Sequence, residues 1–167
     1  MASRRTPIVI LNLIKSFGKS FFDISQIDDN LFLSGEYKEN DLMSIHKLGI
    51  KCVIDMRSET IFDSQKFNDL GIEYHNIPVD NFYPPDDNKT LFGIEIIKKH
   101  INSNQKILVH CKEGVGRSPY IIAGYLITQG YSVYESLSLI KSKRWGVNLN
   151  KIQRKSIKQF YEKMVFD

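Results

Sequence analysis

The sequence has too few cysteines and too short an apolar run for several classes of protein. Two cysteines in 167 residues cannot build a disulfide framework, and two alone are too few for a zinc site made of cysteines. This scarcity favours a reducing, intracellular setting, and we predict a cytoplasmic protein. Residues 8–14 form an apolar stretch much shorter than the ~20 residues of a membrane-spanning helix. We therefore expect no transmembrane segment.

Acidic residues are scarce near both ends of the chain, although the formal net charge is only +4. The first 22 residues contain four basic side chains and no acid. Residues 141–163 contain eight basic side chains and one acid, Glu162. Such runs are most simply solvated helix faces, but they also suit an anionic substrate or surface. We predict that residues 1–24 are an extension packed on the domain, with an organelle-targeting segment as the alternative.

The hydrophobic pattern alternates between strands and helices, and a length of 167 residues predicts one domain. The predicted strands are residues 31–35, 50–56, 72–79 and 106–110, and the predicted helices are residues 40–48, 62–70, 90–103, 118–129, 132–143 and 150–164. This alternation predicts an α/β fold in which helices flank a central, mostly parallel sheet of about four to five strands. Pro78 places its strand at an edge, and the all-apolar residues 107–109 place theirs in the centre.

Residues 110–118 (HCKEGVGRS) connect the predicted central strand to the helix that follows it. A glycine-containing loop at this position directs several backbone N–H groups into one concavity, and the positive end of the helix dipole adds to them. This environment favours the thiolate form of Cys111. Arg117 supplies a planar guanidinium that matches two phosphate oxygens, and Ser118 can donate a hydrogen bond to the sulfur. The predicted phosphate-binding residues are Lys112, Glu113, Gly114, Val115, Gly116 and Arg117.

This segment resembles the H-C-x5-R-[S/T] signature of the cysteine-dependent protein tyrosine phosphatase superfamily. The similarity to its small dual-specificity phosphatases extends over about residues 25–165, through NLFLSGE, CVIDMRSE, GIEYHNIPVD and KILVHCKEGVGRS. The resemblance implies a catalytic domain of that type in residues 25–167. It also implies that Cys111 is the nucleophile, that Arg117 binds the phosphoryl group and that His110 orients the cysteine loop.

The leaving oxygen of a phosphate ester needs a proton, and members of the family use an upstream aspartate as the general acid. Asp80, which ends the extended IPVD segment, matches this aspartate best, with Asp86 and Asp87 on the same loop as alternatives. In the expected two-step mechanism Cys111 attacks phosphorus while Asp80 protonates the leaving oxygen, and Asp80 then activates the water that hydrolyses the phosphocysteine. No metal or cofactor is expected, because loop amides and Arg117 neutralise the phosphoryl oxygens.

Predictions can also be made for two arginines and for the second cysteine. Arg57 closes a strand at the sheet edge where the active site is expected, so it is a candidate for a second anion contact. Arg144 is another candidate, because the family often has an arginine near the pocket mouth, although Trp145 replaces the usual following proline. Cys52 lies near the opposite end of its strand, roughly 13 Å short of the active-site edge. We therefore expect a buried core cysteine and not a redox partner of Cys111.

The sequence leaves three hypotheses about the phosphorylated ligand and what the protein does with it. The preferred one is a protein phosphatase acting on phosphotyrosine, with or without phosphoserine and phosphothreonine. The second is a phosphoinositide or other phospholipid phosphatase, which the basic chain ends favour and Glu113 disfavours by roughly 1 kcal/mol or more per close negative charge. The third is a catalytically silent phospho-binding module, which the presence of Cys111, Arg117 and Asp80 disfavours. We expect phosphorylated proteins as partners, no nucleic acid, and a monomer.

Overall fold

The computed structural model describes residues 23–166, which form five strands, a 3₁₀ helix at Glu39–Asp41 and six α-helices. The strands are β1 (Ile24–Gln26), β2 (Leu31–Ser34), β3 (Ile50–Arg57), β4 (Glu73–Val79) and β5 (Lys106–His110). The helices are α1 (Leu42–Lys47), α2 (Ser64–Asn68), α3 (Asp87–Asn102), α4 (Arg117–Thr128), α5 (Val133–Lys143) and α6 (Lys151–Phe166). None of the helices in this range is long and apolar enough to cross a bilayer.

The five strands form one sheet in the order β1-β2-β5-β3-β4. β1 runs antiparallel to β2, and the other three pairs are parallel. The prediction of an α/β fold with a mostly parallel sheet is therefore confirmed. β5 lies in the centre, as its apolar residues indicate, and β4 lies at an edge, as Pro78 indicates. The sequence pattern does not predict β1, because three residues are too few to show an alternation.

Apolar side chains from the two faces of the sheet enter two separate cores. Alternate residues of β5 show this clearly, because Ile107 and Val109 enter the larger core and Leu108 enters the smaller one. Helices α3 to α6 contribute to the larger core, and α1 and α2 contribute Ile45 and Phe67 to the smaller one. Helices therefore cover both faces of the sheet and leave the ends of its strands for a binding site.

Two helix starts have reciprocal side-chain caps that are visible in the sequence. Ser132 and Glu135 each bond the other's backbone N–H before α5, and Asn150 and Gln153 do the same before α6. These caps satisfy backbone donors that a helix leaves unpaired in its first turn. Both helices therefore begin where the sequence predicts.

Two other helices begin at positions that differ from the expected ones. α3 begins at Asp87 instead of residue 90, because the Asp86 carboxylate accepts a hydrogen bond from the Lys89 N–H and caps the helix there. α1 begins at Leu42, because a 3₁₀ turn precedes it, so Asn40 does not cap it as expected. Neither difference moves a strand of the sheet.

The predicted N-terminal extension, residues 1–24, lies outside the described residues except for its last two positions. Asp23 precedes the sheet, and Ile24 begins β1. The packing of residues 1–22 on the domain stays a prediction.

Candidate active site

The loop between β5 and α4, residues 111–116, lies at the carboxyl end of the central strand, where open α/β sheets place their ligands. Loop residues Cys111, Glu113, Val115 and Gly116 line a cavity of about 180 Å³ together with Arg117. The other lining residues are Asn81, Phe82, Asn148, Asn150 and Gln153. Lys112 and Gly114, which belong to the predicted phosphate-binding set, do not line this cavity. The structure thus brings most of that set together around one hollow.

The Cys111 sulfur accepts two hydrogen bonds in this loop, and the residue is only 3% exposed. The Gly114 N–H and the Ser118 hydroxyl each donate to Sγ over 3.2 Å. Ser118 lies in the first turn of α4, a 12-residue helix whose positive dipole end faces the loop. Both donors stabilise negative charge on sulfur, so the arrangement suits a nucleophilic thiolate.

The end of β2 fixes the shape of the cysteine loop. The Glu36 N–H donates a hydrogen bond to the Lys112 carbonyl oxygen over 2.7 Å. Gly114 has φ +69°, and a Cβ atom there would lie 2.6 Å from the carbonyl oxygen of Ser34. Because a side chain at position 114 would collide with backbone, the loop requires glycine there. This close approach lets the Gly114 N–H reach the sulfur.

Arg117 is held in place by Glu59, a residue that the sequence analysis does not identify. The guanidinium donates to both Glu59 carboxylate oxygens over 2.7 and 2.8 Å, and to the Val79 carbonyl oxygen over 2.8 Å. Hydrogen bonding to Arg117 lowers the pKa of Glu59 to about 2, so the carboxylate is charged at neutral pH. The bidentate pair fixes the plane of the guanidinium. The one sequence signal for Glu59 is its place in the CVIDMRSE segment, directly after β3.

Asp80 directly follows β4, and its carboxylate accepts a hydrogen bond from the Ser58 hydroxyl over 2.7 Å. Asp80 does not line the cavity, but the next residue, Asn81, does. The two alternative acids have other contacts, because Asp86 caps α3 and Asp87 pairs with a lysine of α6. Asp86 and Asp87 thus have structural contacts of their own, and the role of Asp80 as the general acid stays a prediction.

The loop after Asp80 is tied to the start of α6 across the mouth of the cavity. The Asn150 side-chain amide donates to the Phe82 carbonyl over 2.6 Å, and the Gln153 amide donates to the Tyr83 carbonyl over 3.3 Å. The aromatic rings of Phe82 and Tyr83 stay exposed, so the backbone and not the rings anchors the loop. The sequence marks Asn150 and Gln153 as helix caps only, and their second role appears only in three dimensions.

Arg144 contacts the cysteine loop and does not line the cavity, so a second anion contact there stays a prediction. Its Nε donates to the Gly114 carbonyl over 2.9 Å, and its Nη2 donates to the Glu113 carbonyl over 3.0 Å. Nη2 also pairs with the Asp23 carboxylate over 2.8 Å. The residue is buried, and its donors are occupied by loop carbonyls and by Asp23. Arg144 therefore holds the outer side of the loop.

Arg57 is likewise engaged within the protein and does not line the cavity, and its expected anion contact stays a prediction. Its Nε and Nη2 donate to the two oxygens of the Asp55 carboxylate over 3.0 and 2.8 Å. Its guanidinium lies 4.9 Å from the centre of the Phe62 ring. Both charged residues are buried, so the pair is part of the structure that supports the end of β3.

His110 lies beneath the cysteine loop and is fully buried. Its ring centre is 4.6 Å from that of Tyr37, and Nε2 lies 3.5 Å from an oxygen of Asp55. Burial lowers the pKa of His110 to about 4, so the imidazole is neutral at neutral pH. A neutral, enclosed ring argues against proton transfer to a substrate, and the positioning role of His110 stays a prediction.

The charged side chains that line the cavity are the Arg117 guanidinium and the Glu113 carboxylate. Between residues 23 and 166, no three histidine, cysteine, aspartate or glutamate side chains are grouped in a way that could hold a metal ion. The reactive groups available at the site are therefore a sulfur nucleophile, oriented N–H donors, one guanidinium and the nearby Asp80. This set is suited to phosphoryl transfer through a covalent intermediate.

Comparison with known proteins agrees with this geometry. The sequence model of the dual specificity phosphatase catalytic domain matches residues 31–163. The chain belongs to this family. Phosphatidylglycerophosphate phosphatase PTPMT2 of Arabidopsis thaliana is 28% identical over 159 residues, which cover 92% of this chain and 70% of that protein. Dual specificity protein phosphatase 9 of Homo sapiens is 29% identical over 129 residues, which cover 75% of this chain and 33% of that protein. The chain thus spans only a third of the human relative.

Solved structures of the family share the fold. The crystal structure of PTPMT1 superposes with a TM-score of 0.78 at 24% identity, covering 84% of this chain and 95% of the other. The active form of Tk-PTP also gives a TM-score of 0.78, at 23% identity, covering 83% of this chain and 96% of the other. The resemblance that the HCKEGVGRS segment indicates, to cysteine-dependent phosphatases of the small dual-specificity type, is therefore confirmed.

Proposed function

We propose that this protein hydrolyses phosphate monoesters on proteins, phosphotyrosine above all, through a phosphocysteine intermediate. One observation carries the proposal. The Cys111 sulfur accepts hydrogen bonds from the Gly114 N–H and the Ser118 hydroxyl in a loop whose cavity is also lined by Arg117. A sulfur stabilised in this way next to an anion-binding group is the arrangement that attack on a phosphoryl group needs.

In the first step the Cys111 thiolate forms a bond to phosphorus while the bond from phosphorus to the leaving oxygen breaks. The Asp80 carboxyl donates its proton to that oxygen, so the leaving group departs as a neutral alcohol or phenol. Loop N–H groups and the Arg117 guanidinium bind the phosphoryl oxygens. Glu59 keeps the guanidinium in its plane, so little reorganisation is needed when the substrate arrives.

In the second step a water molecule attacks the phosphocysteine. The Asp80 carboxylate takes a proton from the water, an oxygen–phosphorus bond forms and the sulfur–phosphorus bond breaks. Inorganic phosphate leaves, and the sulfur is again a thiolate. The Ser118 hydroxyl, which donates to Sγ, lowers the cost of that negative charge. Asp80 ends the cycle protonated, ready for the next substrate.

The lining of the cavity supports a single phosphate group on a protein side chain. The cavity of about 180 Å³ contains one cationic side chain, Arg117, and one acid, Glu113. Lys112 does not line it, so the loop adds no second cation for a multiply phosphorylated headgroup. Glu113 repels additional negative charge close to it. Relatives named as protein phosphatases, such as the human dual specificity protein phosphatase 9, support the same substrate class.

A phospholipid monoester is the second candidate substrate. The plant relative that covers 92% of this chain is named as a phosphatidylglycerophosphate phosphatase. A crystal structure of PTPMT1 holds PI(5)P, and it superposes on this protein with a TM-score of 0.79. A silent phospho-binding module is disfavoured, because Cys111, Arg117 and Asp80 are all present and Glu59 already orients the guanidinium. The monomeric state and the cytoplasmic location stay predictions.

The decisive experiment measures kcat/KM of the purified protein on four substrates. These are p-nitrophenyl phosphate, a phosphotyrosyl peptide, a phosphoseryl peptide and vesicles that contain phosphatidylglycerophosphate. We expect the phosphotyrosyl peptide to be the best natural substrate and a rapid acid quench to trap phosphate on Cys111. A higher kcat/KM on the vesicles would replace the proposal with the phospholipid candidate. Phosphate trapped on another residue, or no hydrolysis of any substrate, would reject the mechanism.

A further inference from the structure

A second cavity lies between α5 and α6, and no step of the proposed reaction uses it. Its volume of about 520 Å³ is within the range of about 300–1,000 Å³ typical of ligand pockets. The lining residues are Val133, Tyr134, Leu137, Leu149 and Tyr161, which are apolar or aromatic, and Ser132, Ser138, Lys141, Arg154 and Lys158, which are polar. We call this cavity the α5–α6 groove. Tyr134 is 80% exposed, so the groove is open to a partner from solution.

Cationic side chains follow one side of the α5–α6 groove and continue beyond it. Lys151, Arg154, Lys155 and Lys158 have the spacing i, i+3, i+4 and i+7, so they share one face of α6. At 1.5 Å per residue this stripe is about 10 Å long. Lys141 adds a cation from α5. Within the part of the chain that the structure describes, no carboxylate pairs with Lys141, Lys155 or Lys158.

The α5–α6 groove and the catalytic cavity share a wall, residues 148–154. Asn148, Asn150 and Gln153 line the catalytic cavity, whereas Leu149 and Arg154 line the groove. Arg154 connects the two sides, because its guanidinium donates to the Leu149 carbonyl and to the Asn148 side chain. The two cavities are therefore lined by neighbouring residues of one segment.

We propose that the α5–α6 groove docks an acidic segment with apolar side chains that flanks the phosphorylated residue of the protein substrate. This inference rests on the proposed function as a protein phosphatase. The apolar side chains of the segment pack among Leu137, Leu149 and Tyr161, where burial of apolar area supplies affinity. Its carboxylates face Lys141 and Lys158, where opposite charges steer the segment and fix its register.

Charge favours a substrate segment over three other occupants of the α5–α6 groove. The stripe on α6 repeats its charge over about 10 Å, which matches several carboxylates along a chain better than one lipid phosphate. The first 22 residues of this chain contain four basic side chains and no acid, so the cationic groove repels them. An isologous contact with a second copy brings the same cationic stripe against the groove and is disfavoured for the same reason.

The test uses phosphotyrosyl peptides that differ only in a flank of about ten residues, which reaches ~33 Å when extended. One flank alternates glutamate and leucine, and the control flank alternates serine and glycine. Each flank is placed once before and once after the phosphotyrosine. We expect kcat/KM to be about tenfold higher for the acidic flank in one placement, mainly through a lower KM. About 1 M salt, at which the Debye length is ~3 Å, should remove most of this advantage.

Two variants of exposed residues test whether the advantage comes from the α5–α6 groove. Lys141→Glu/Lys158→Glu reverses two charges at its rim, and Ser138→Trp fills it. Both should abolish the preference for the acidic flank and leave the hydrolysis of p-nitrophenyl phosphate unchanged. Lys47→Glu/Lys51→Glu reverses the same number of charges at exposed positions of α1 and the start of β3, outside the groove, and is the matched control that should keep the preference.

Each result of this experiment supports or overturns the docking proposal. Equal kcat/KM for both flanks, with p-nitrophenyl phosphate still hydrolysed, overturns docking and leaves the proposed function intact. Binding of anionic phospholipid vesicles that the double variant loses, without any preference among peptides, overturns docking in favour of a lipid surface. If no phosphate ester is hydrolysed, the proposed function fails. Fluorescence anisotropy of the unphosphorylated acidic peptide then decides, because binding that the double variant loses supports docking and no binding overturns it.

Discussion

The two cysteines are buried almost equally in two different regions of the sheet. Cys52 lies near the start of β3, and Cys111 lies just after the end of β5. Cys52 is 0% exposed and Cys111 is 3% exposed, and both are free thiols. Cys52 is surrounded by core side chains, and burial raises the pKa of its thiol. The Cys111 sulfur instead accepts two hydrogen bonds. Burial alone therefore does not distinguish an inert cysteine from a nucleophile, whereas the donors around the sulfur do.

The position of each cysteine in the sheet explains this difference. Cys52 lies within β3, between β4 and β5, so the neighbouring backbone N–H groups are used in the sheet. Cys111 lies just after β5, where the chain leaves the sheet and turns into α4. The N–H groups of such a loop have no strand partner and can converge on one atom. The carboxyl end of the sheet thus has free donors that its interior lacks.

The largest expected effect comes from the same substitution at both cysteines. Cys111→Ser should lower kcat on p-nitrophenyl phosphate by at least on the order of 10⁴-fold, because a serine hydroxyl is a poor nucleophile at neutral pH. Cys52→Ser should keep kcat and lower the free energy of unfolding by about 1–3 kcal/mol, because it buries a hydroxyl among apolar side chains. Steady-state kinetics and urea unfolding measure the two effects. Full activity of Cys111→Ser would show that the Cys111 sulfur is not the nucleophile.

The next largest effect concerns Asp80, at the carboxyl end of β4. Asp80→Asn should lower kcat by ~10²–10⁴-fold on a phosphotyrosyl peptide, because the leaving phenoxide then receives no proton. The loss should be smaller on an aryl phosphate with an acidic leaving group, which departs readily without a proton. Rates across a series of aryl phosphates measure this dependence on the leaving group.

Asp87→Asn provides the control for Asp80, because it removes the carboxylate of the first residue of α3, at the end of the same connection from β4. It breaks the ion pair with Lys163 on the surface. We expect kcat to stay unchanged and stability to change by less than about 1 kcal/mol. A leaving-group dependence that appears in Asp87→Asn instead of Asp80→Asn would transfer the role of general acid to Asp87.

Two glycines at opposite ends of the sheet have nearly the same backbone conformation. Gly114 has φ +69° in the cysteine loop, and Gly71 has φ +66° before the start of β4. Gly114→Ala should lower kcat/KM on the order of 10²-fold, because its Cβ collides with the Ser34 carbonyl and the loop must move. Gly71→Ala has open space around the added Cβ, so we expect only a stability cost of about 1–2 kcal/mol. Equal activities of the two variants would contradict a requirement for this loop shape.

Local signals explain why most of the fold could be predicted from the sequence. The apolar run in β5 and the alternation of strands with helices depend on neighbouring residues only. The cysteine loop could be predicted for the same reason, because Cys111 and Ser118 are seven positions apart and belong to one strand–loop–helix unit. Structure that depends only on residues close together in the chain can therefore be predicted from the sequence.

Contacts between distant segments explain what the sequence could not predict. Glu59 pairs with Arg117 across 58 positions, so the pair depends on how the end of β3 meets the start of α4. Arg57 is predicted at the carboxyl end of the sheet and Arg144 near the pocket mouth, but the sequence does not show that Asp55 and the loop carbonyls use their donors. The position of an arginine in the sequence thus does not show whether its guanidinium binds a ligand or groups of the protein itself.

A further expected effect is on the pH dependence of stability, and it concerns His110 beneath the cysteine loop. Burial lowers the pKa of His110 to about 4, whereas the unfolded chain takes up this proton below about pH 6.5. Between these values the unfolded state binds more protons, so stability falls as pH falls from 6.5 towards 4. The full effect is roughly 3 kcal/mol, and His110→Asn should remove this part of the slope in urea unfolding between pH 4 and 7.

His46→Asn is the control for this slope, because it removes an imidazole from α1 on the other face of the sheet. His110→Asn also changes the packing against Tyr37, so its stability at pH 7 is expected to drop, but that loss is the same at every pH. The slope and not the absolute stability therefore carries the prediction. An equal change of slope in both variants would show that it does not come from the buried histidine beside the catalytic loop.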